Sequence, residues 1–558
     1  MSEKNLKKIT DWANSGESVS IIANTGIQLL DFELKSELAK KHKSHFVEKI
    51  IDTEAFDDEF RELEILSDNE ITEINHQSEN YQFVSYDITV LKALEPFLNN
   101  WIPIPFFRVS EAKQRTSCDI GPTSWSRMRI SKVNNIDQPE TSMPIFRIQL
   151  ALDTTLGGSE GSHSYLQPNE KDTGDRSEFR FVSEMQILNQ FLTEGADKRN
   201  LSTARPKDES MWVTEWIRTI FDRYLQETNQ MGRRNKKVDE ESKLEHWARY
   251  VALLKIVDET IFIPKVKLLP SPYLDQDTHA IDVDLILDIG NSRTCGLLIE
   301  QTVGVGEVDL SGAVPLELRD LSEPQYSYPD LFQSRVEFSD NNFGDERLAR
   351  ASGRNNAFIW PSFVRIGPEA IKLVQSEQGN ETASGLSSPK RYLWDITPIN
   401  HDWRFHQHKD PRRLPQSVAA ALTKLTPEGD HQSQIEEDIR SKLRLRPKNK
   451  KISRANRPRF AKSSLYGFMV AEIITQAFVQ INDASYRIGK PQTDVPRRLK
   501  RVILTLPTAT PSQEQAIVKS KVSGALKMVW DRMMHWGTGA NINKPELLVD
   551  WDEASCTQ

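Results

Sequence analysis

Residues 282–300 read DVDLILDIGNSRTCGLLIE, two apolar runs separated by a short polar tip. Runs of this kind joined by so few residues fold back on each other as strands, and their apolarity requires a sheet covered on at least one face. Glycine and asparagine suit the turn, but no turn needs a carboxylate, Asp288, at the inner end of a hydrophobic strand. An anion site does use these residue types. Gly290 lets the backbone approach a ligand closely, exposed N–H groups of the turn form an anion-binding concavity, and Asn291 and Ser292 add donors. Asp288 is the kind of carboxylate through which magnesium meets protein beside substrate phosphates. An ordinary Asp-x-Gly-Asn turn has the same composition, and the stretch alone does not separate the two readings.

At 558 residues and 63.9 kDa the chain is too long for one core, so two to four domains are expected. Hydrophobic residues make up 38% and charged residues 27%, the balance of a soluble globular protein. A net charge of -8 argues against a dedicated nucleic-acid binder. The N-terminus, MSEKNLKKITDWANSGES, has no apolar core segment, so no signal peptide is read. No uninterrupted apolar run reaches the roughly 18 residues of a membrane-spanning helix. Cys118, Cys295 and Cys556 are far apart and odd in number, which suits a reducing compartment. A cytoplasmic protein is expected, with secretion as an effector left open.

Residues 1–270 read as a mixed α/β region. SVSIIANTGIQLLDFEL is strand, Asn-Thr-Gly turn, strand; IDTEAFDDEFRELEILSDNEITE is an acidic helical face; WIPIPFFRVS, with two prolines, is an edge segment; PIFRIQLALD alternates as a half-buried strand. From residue 178 the period becomes helical through EFRFVSEMQILNQFL, ESMWVTEWIRTIFDRYLQE and SKLEHWARYVALLKIVDE. Their aromatic stripes are read as core. LLPSPYLDQDTHAID carries the linker, placed at residues 271–282, and residues 283–558 alternate strands with helices as an α/β domain.

Several later segments give the hairpin a context. IWPSFVRIGPEAIKL, SSPKRYLWD, RRLKRVILTLPTATPSQEQAIVKSKVSGAL and PELLVDWDEASCTQ follow it in order. With LDIGNSRT, the series resembles the N-terminal lobe of the sugar kinase, heat-shock chaperone and actin ATPase superfamily. NTGIQLLDF, WIPIPFFR, DLILDIGNSRTCG and WDEASCTQ also resemble the bacterial virulence factor SrfB family, whose proteins run longer than this chain.

The first resemblance implies an actin-like (ribonuclease H-like) ATPase lobe that binds ATP with Mg2+. Asp288 takes the place of the magnesium-associated aspartate. Gly290, Asn291, Ser292, Arg293 and Thr294 form the phosphate turn, with Asn291 and Ser292 replacing two hydroxyl residues. Lys390 matches the lysine that neutralises the γ-phosphate, and Glu553 the glutamate that orients water near magnesium. Lys390-Arg391 also reads as a surface dibasic pair, and Glu553 as an acidic first-turn residue. Five strands are expected in the sheet: LILDI, CGLLIE, a third in or after GEVDLSGAVPLEL, VILTLP and ELLVDW. The second phosphate loop and second lobe are missing from residues 1–558. The expectation is therefore an N-terminal or truncated product that alone binds nucleotide very weakly and leaves apolar sheet surface exposed.

Other motifs carry less. RSKLRLRPKNKKISRANRPRFAK, 440–462, is basic throughout and reads as a surface insertion or a contact for phosphate, acidic lipid or an acidic partner. SSLYGFMVAEIITQAFVQIND reads as a core helix with Ser463 or Ser464 as N-cap. His401, His406 and His408 fit no closed zinc site. No nucleophile elbow or Walker lysine motif is present. Two functions follow: a virulence-associated, slow ATPase in its full-length form, acting on an unknown protein partner such as a product of the same operon; or a non-catalytic scaffold retaining the lobe.

Overall fold

The runs flanking the polar tip form strands Ile281–Ile289 and Arg293–Glu300, paired antiparallel from Val283 opposite Glu300 to Ile289 opposite Thr294. The structure is a computed structural model and describes residues 18–35, 42–51, 60–66, 83–109, 125–133, 145–157, 167–174, 178–192, 212–231, 244–273, 279–301, 312–344, 357–376, 384–406, 424–440, 453–507, 510–534 and 544–552. Across them the chain is a mixed α/β protein with several small sheets. The hairpin pairs as it does because its period is two: Val283, Leu285, Leu287 and Ile289 are all buried on one face.

All five candidate strands lie in one sheet. Its order is Val314–Pro315, Arg293–Glu300, Ile281–Ile289, Arg497–Leu506, Glu546–Asp552. The last two run parallel to Ile281–Ile289, and Phe332–Gln333 pairs with the tip end of the second strand. Parallel neighbours need long crossovers and cover; helices Lys462–Asn482 and Ser512–Met534 pack together, and both touch the sheet. On the other face, Leu297, Ile286, Ile503 and Leu548 form a cross-strand row outside the main core. Leu297 is 43% exposed.

Helix Lys462–Asn482 corrects two expectations. By length and composition it could cross a membrane, although Glu472 and its polar neighbours interrupt the apolar run; 94% of its most apolar window is buried inside the protein. A helix apolar on all sides belongs in a core. Its N-cap is Ala461, with Ser463 and Ser464 inside the first turn. The Ser463 N–H donates to the Asp395 carbonyl at 3.1 Å instead, which satisfies an end group without a side-chain cap.

Three N-terminal expectations also change. Phe60–Leu66, within the acidic stretch, is a strand paired with Lys43–Ile51, with Leu63 buried and Ile65 half-buried, two residues apart around Glu64. Glu178–Phe181 is a strand between Val266–Leu269 and Phe106–Arg108, and the helix starts only at Met185. Ile145–Asp153 is central, between Ile27–Lys35 and Ser126–Val133, and is buried from Ile148 onward. Trp101–Ile104 and Phe106–Arg108 are edge strands, where proline is tolerated.

The N-terminal region shares one core with the later sheet. Asp31 pairs with Arg319, the Phe358 N–H donates to Asp153 at 3.1 Å, and the Arg127 guanidinium lies 4.6 Å and 4.0 Å from the Trp216 and Phe358 ring centres. Tyr273, in the linker segment, is buried between Phe478 and Trp530 and accepts from the Leu499 N–H at 2.6 Å.

A buried carboxylate fixes the turn after Leu318–Arg319. Glu369, in the first turn of helix Gly367–Ser376, accepts from the Leu321 and Ser322 N–H groups at 3.0 Å and 2.9 Å and from the Ser322 hydroxyl at 2.6 Å. Burial, with the neighbouring Asp320 charge behind it, pushes the Glu369 carboxyl up to about 7. A raised folded value means the native state binds the extra proton, so this stabilisation is complete below the unfolded value and is lost as pH rises towards 7. Urea denaturation is expected to show stability falling by up to about 3 kcal/mol between pH 4.5 and 7 from this group. Glu369→Gln should flatten that slope, and an unchanged slope would contradict the assignment.

Candidate phosphate site at the hairpin tip

The three mutually parallel strands end at one edge of the sheet. Leu287 pairs with Leu504, and Leu506 with Asp552, so Ile289, Leu506 and Asp552 finish at a common level. Ligands of open α/β sheets sit beyond the carboxyl ends of the strands.

Asp288 reaches that edge exposed, and its carboxylate has no hydrogen-bond or ion-pair partner among the described residues. Cys295 stands directly opposite in the register. Burial, and then the Asp288 charge, push the Cys295 thiol up. An unneutralised carboxylate at a strand end is a group still able to take a cation.

At the tip, the Gly290 N–H donates to the Arg293 carbonyl at 2.9 Å. A Cβ on residue 290 would sit 2.6 Å from that same oxygen, so only glycine closes the turn. Asn291, Ser292 and Arg293 are exposed. Thr294 is 1% exposed, and its hydroxyl lies 2.9 Å from the Ser334 Oγ.

Ser334 was not legible as a site residue in the sequence. It is buried, and its hydroxyl donates to the Gly290 carbonyl at 2.8 Å, which leaves the Thr294 hydroxyl as donor to Ser334. Its N–H donates to the Ser292 carbonyl at 2.9 Å, and its own carbonyl accepts from the Ser388 N–H at 2.7 Å. One serine therefore fixes both the tip and the segment that delivers Lys390. Ser388 itself has φ 54° and ψ 56°, a left-handed conformation that costs a non-glycine residue about 1 kcal/mol or more. The turn Pro389–Tyr392 follows, and the Lys390 ammonium donates to the Ile289 carbonyl at 2.8 Å. Asp288, the tip and Lys390 are thus neighbours, although about a hundred residues separate the lysine from the hairpin in sequence.

Glu553 lies outside the described residues; Asp552, before it, ends its strand at the same edge. Among the described residues the histidines do not gather into a metal site. His401 is exposed, His406 is buried against Glu337 at 2.9 Å, and His408 lies outside the described residues. Among the described residues no group of three or more His, Cys, Asp or Glu could hold a metal ion, so a magnesium ion here would rest on Asp288, ligand phosphates and water.

No curated protein matches the chain. The family model described as Virulence factor SrfB matches residues 5–558, the N-terminal region and the hairpin sheet alike. The chain belongs to the virulence factor SrfB family.

Proposed function

We propose that the hairpin tip holds the phosphate end of Mg-ATP in an actin- and chaperone-like nucleotide-binding lobe, and that the full-length protein hydrolyses ATP slowly to control a protein partner. The observation that carries this reading is the free Asp288 carboxylate beside a glycine turn that Ser334 locks to the Lys390 loop. The strand order and the shared carboxyl-end edge support it.

In this reading Asp288 would hold magnesium through its waters, while free backbone N–H groups of the tip and the Asn291 and Ser292 side chains would bond phosphate oxygens. Thr294 acts from below by holding the tip through Ser334. Lys390 balances charge on the terminal phosphate, and Glu553 orients the attacking water. Bound magnesium would supply charge neutralisation. What this chain supplies is positioning, which dominates in-line phosphoryl transfer to water.

A scaffold without turnover is favoured by one observation: the Lys390 ammonium already spends a hydrogen bond on the Ile289 carbonyl. Calorimetry with Mg-ATP on the full-length gene product separates the two. Binding near micromolar, about -8 kcal/mol, is expected, with Asp288→Ala weakening it about tenfold or more. Silence of the wild type removes the nucleotide reading, and an unchanged affinity in the variant removes Asp288 from it.

A further inference from the structure

The segment that carries Lys390 continues into an exposed surface that the nucleotide reading does not use. Residues 392–403 run antiparallel beside 457–463. Ile399 N–H donates to the Arg459 carbonyl at 3.0 Å, Trp403 N–H to the Pro458 carbonyl at 2.8 Å, and Ser463 N–H to the Asp395 carbonyl at 3.1 Å. Leu393, Trp403 and Phe460 anchor this pair of segments in the core. On that anchored base Trp394 is 56% and Ile396 53% exposed. A firmly held pair of large apolar side chains facing solvent is the part of a surface that association most rewards.

The charge around them is in positive excess. Arg391 and Arg404 flank the first segment, and Arg457, Arg459 and Lys462 lie on the second, against Asp395 and Asp402: five positive against two negative, on a chain whose net charge is -8. Asp402 holds Arg457 and Arg459 at 2.8 Å and 2.9 Å. Lys462 lies 3.8 Å from Asp395 and 5.1 Å from the centre of the Tyr392 ring. Arg391 and Arg404 have no ion-pair partner among the described residues.

We propose that this surface docks an acidic protein segment that carries apolar side chains, with Trp394 and Ile396 as the apolar anchors and Arg391 and Arg404 as the charge contacts. Tryptophan and arginine together are the side chains that dominate protein interfaces. A nucleic acid fits less well: counterion release scales with the number of phosphates neutralised, and three of the five cations already have carboxylate partners. The proposal is independent of nucleotide binding, because neither Trp394 nor Arg404 belongs to the hairpin site.

Selection of a random peptide library on the full chain tests it. Enriched peptides are expected to combine Asp or Glu with Leu, Phe or Trp, and to lose about tenfold or more in affinity to Trp394→Ala and to Arg391→Glu/Arg404→Glu. Both variants change exposed side chains, and an unchanged thermal melt will show that they fold. Failure to enrich, enrichment of neutral or basic peptides, or binding indifferent to both variants would overturn the proposal. So would tighter, Trp394-dependent binding of a 20-nucleotide single strand or of phosphatidylglycerol vesicles.

Discussion

Glu472→Ala is expected to cost about 3 kcal/mol of stability, the sum of two orphaned donors and a small cavity. The carboxylate is buried in the middle of helix Lys462–Asn482 and accepts from the Trp360 indole at 2.9 Å and the Gln476 amide at 2.7 Å. Burial raises its pKa, opposed first by the Arg365 charge. Gln476 cannot turn to compensate, since its amide also accepts from the Arg319 N–H at 3.0 Å and donates to the Arg319 carbonyl at 3.1 Å. Arg319 in turn pairs with Asp31 of the N-terminal region. Loss of the carboxylate therefore loosens one of the contacts between the two halves. Glu472→Gln keeps one acceptor oxygen but turns an NH2 towards a donor, and should fall between wild type and alanine. Chemical denaturation checks both; a Glu472→Ala loss below about 1 kcal/mol would show the network to be dispensable.

On the proposed nucleotide reading, Gly290→Ala in the full-length protein is expected to weaken Mg-ATP binding by about tenfold or more while leaving the bulk of the fold intact. The added Cβ would stand 2.6 Å from the Arg293 carbonyl, a backbone atom that cannot swing aside. To admit it, the turn must open, breaking the Gly290–Arg293 hydrogen bond and moving the N–H groups that would face phosphate. Ser334 binds the Gly290 carbonyl and resists that movement, so the strain falls on the tip. Calorimetry against wild type reads the effect, and equal affinity would mean that the tip does not touch the nucleotide.

The hairpin and its sheet were legible because LILDI and CGLLIE are apolar runs joined by a short polar tip, and the parallel partners VILTLP and ELLVDW are short apolar runs set beside prolines. The third strand was legible only as a region, since Val314–Pro315 is two residues long and leaves no periodic signal. FRELEIL and EFRF went unread as strands for a different reason. The acidic residues around the first point to a solvated helix, the apolar spacing of EFRFVSEMQILNQFL points to a helix from residue 178, and only pairing with strands distant in sequence decides otherwise.

The site divides in the same way. Asp288 and Gly290 stand out locally, because a carboxylate and a glycine end a hydrophobic strand. Lys390 entered only through resemblance, as nothing in SSPKRY points to a hairpin a hundred residues earlier. Ser334 had no signal at all: it is one serine in LFQSRVEF, and its partners Gly290, Ser292 and Ser388 come from two other segments. The inward turn of Thr294 follows from Ser334 and was equally unreadable.

A crystal structure of the full-length protein with magnesium and a non-hydrolysable ATP analogue would locate the phosphates directly. The predicted result is a terminal phosphate against the tip N–H groups of Asn291 and Ser292, with a hydrated magnesium ion facing Asp288 and the Lys390 ammonium turned from the Ile289 carbonyl towards phosphate. An analogue bound elsewhere, or bound at the tip with Asp288 remote from the metal, would contradict it.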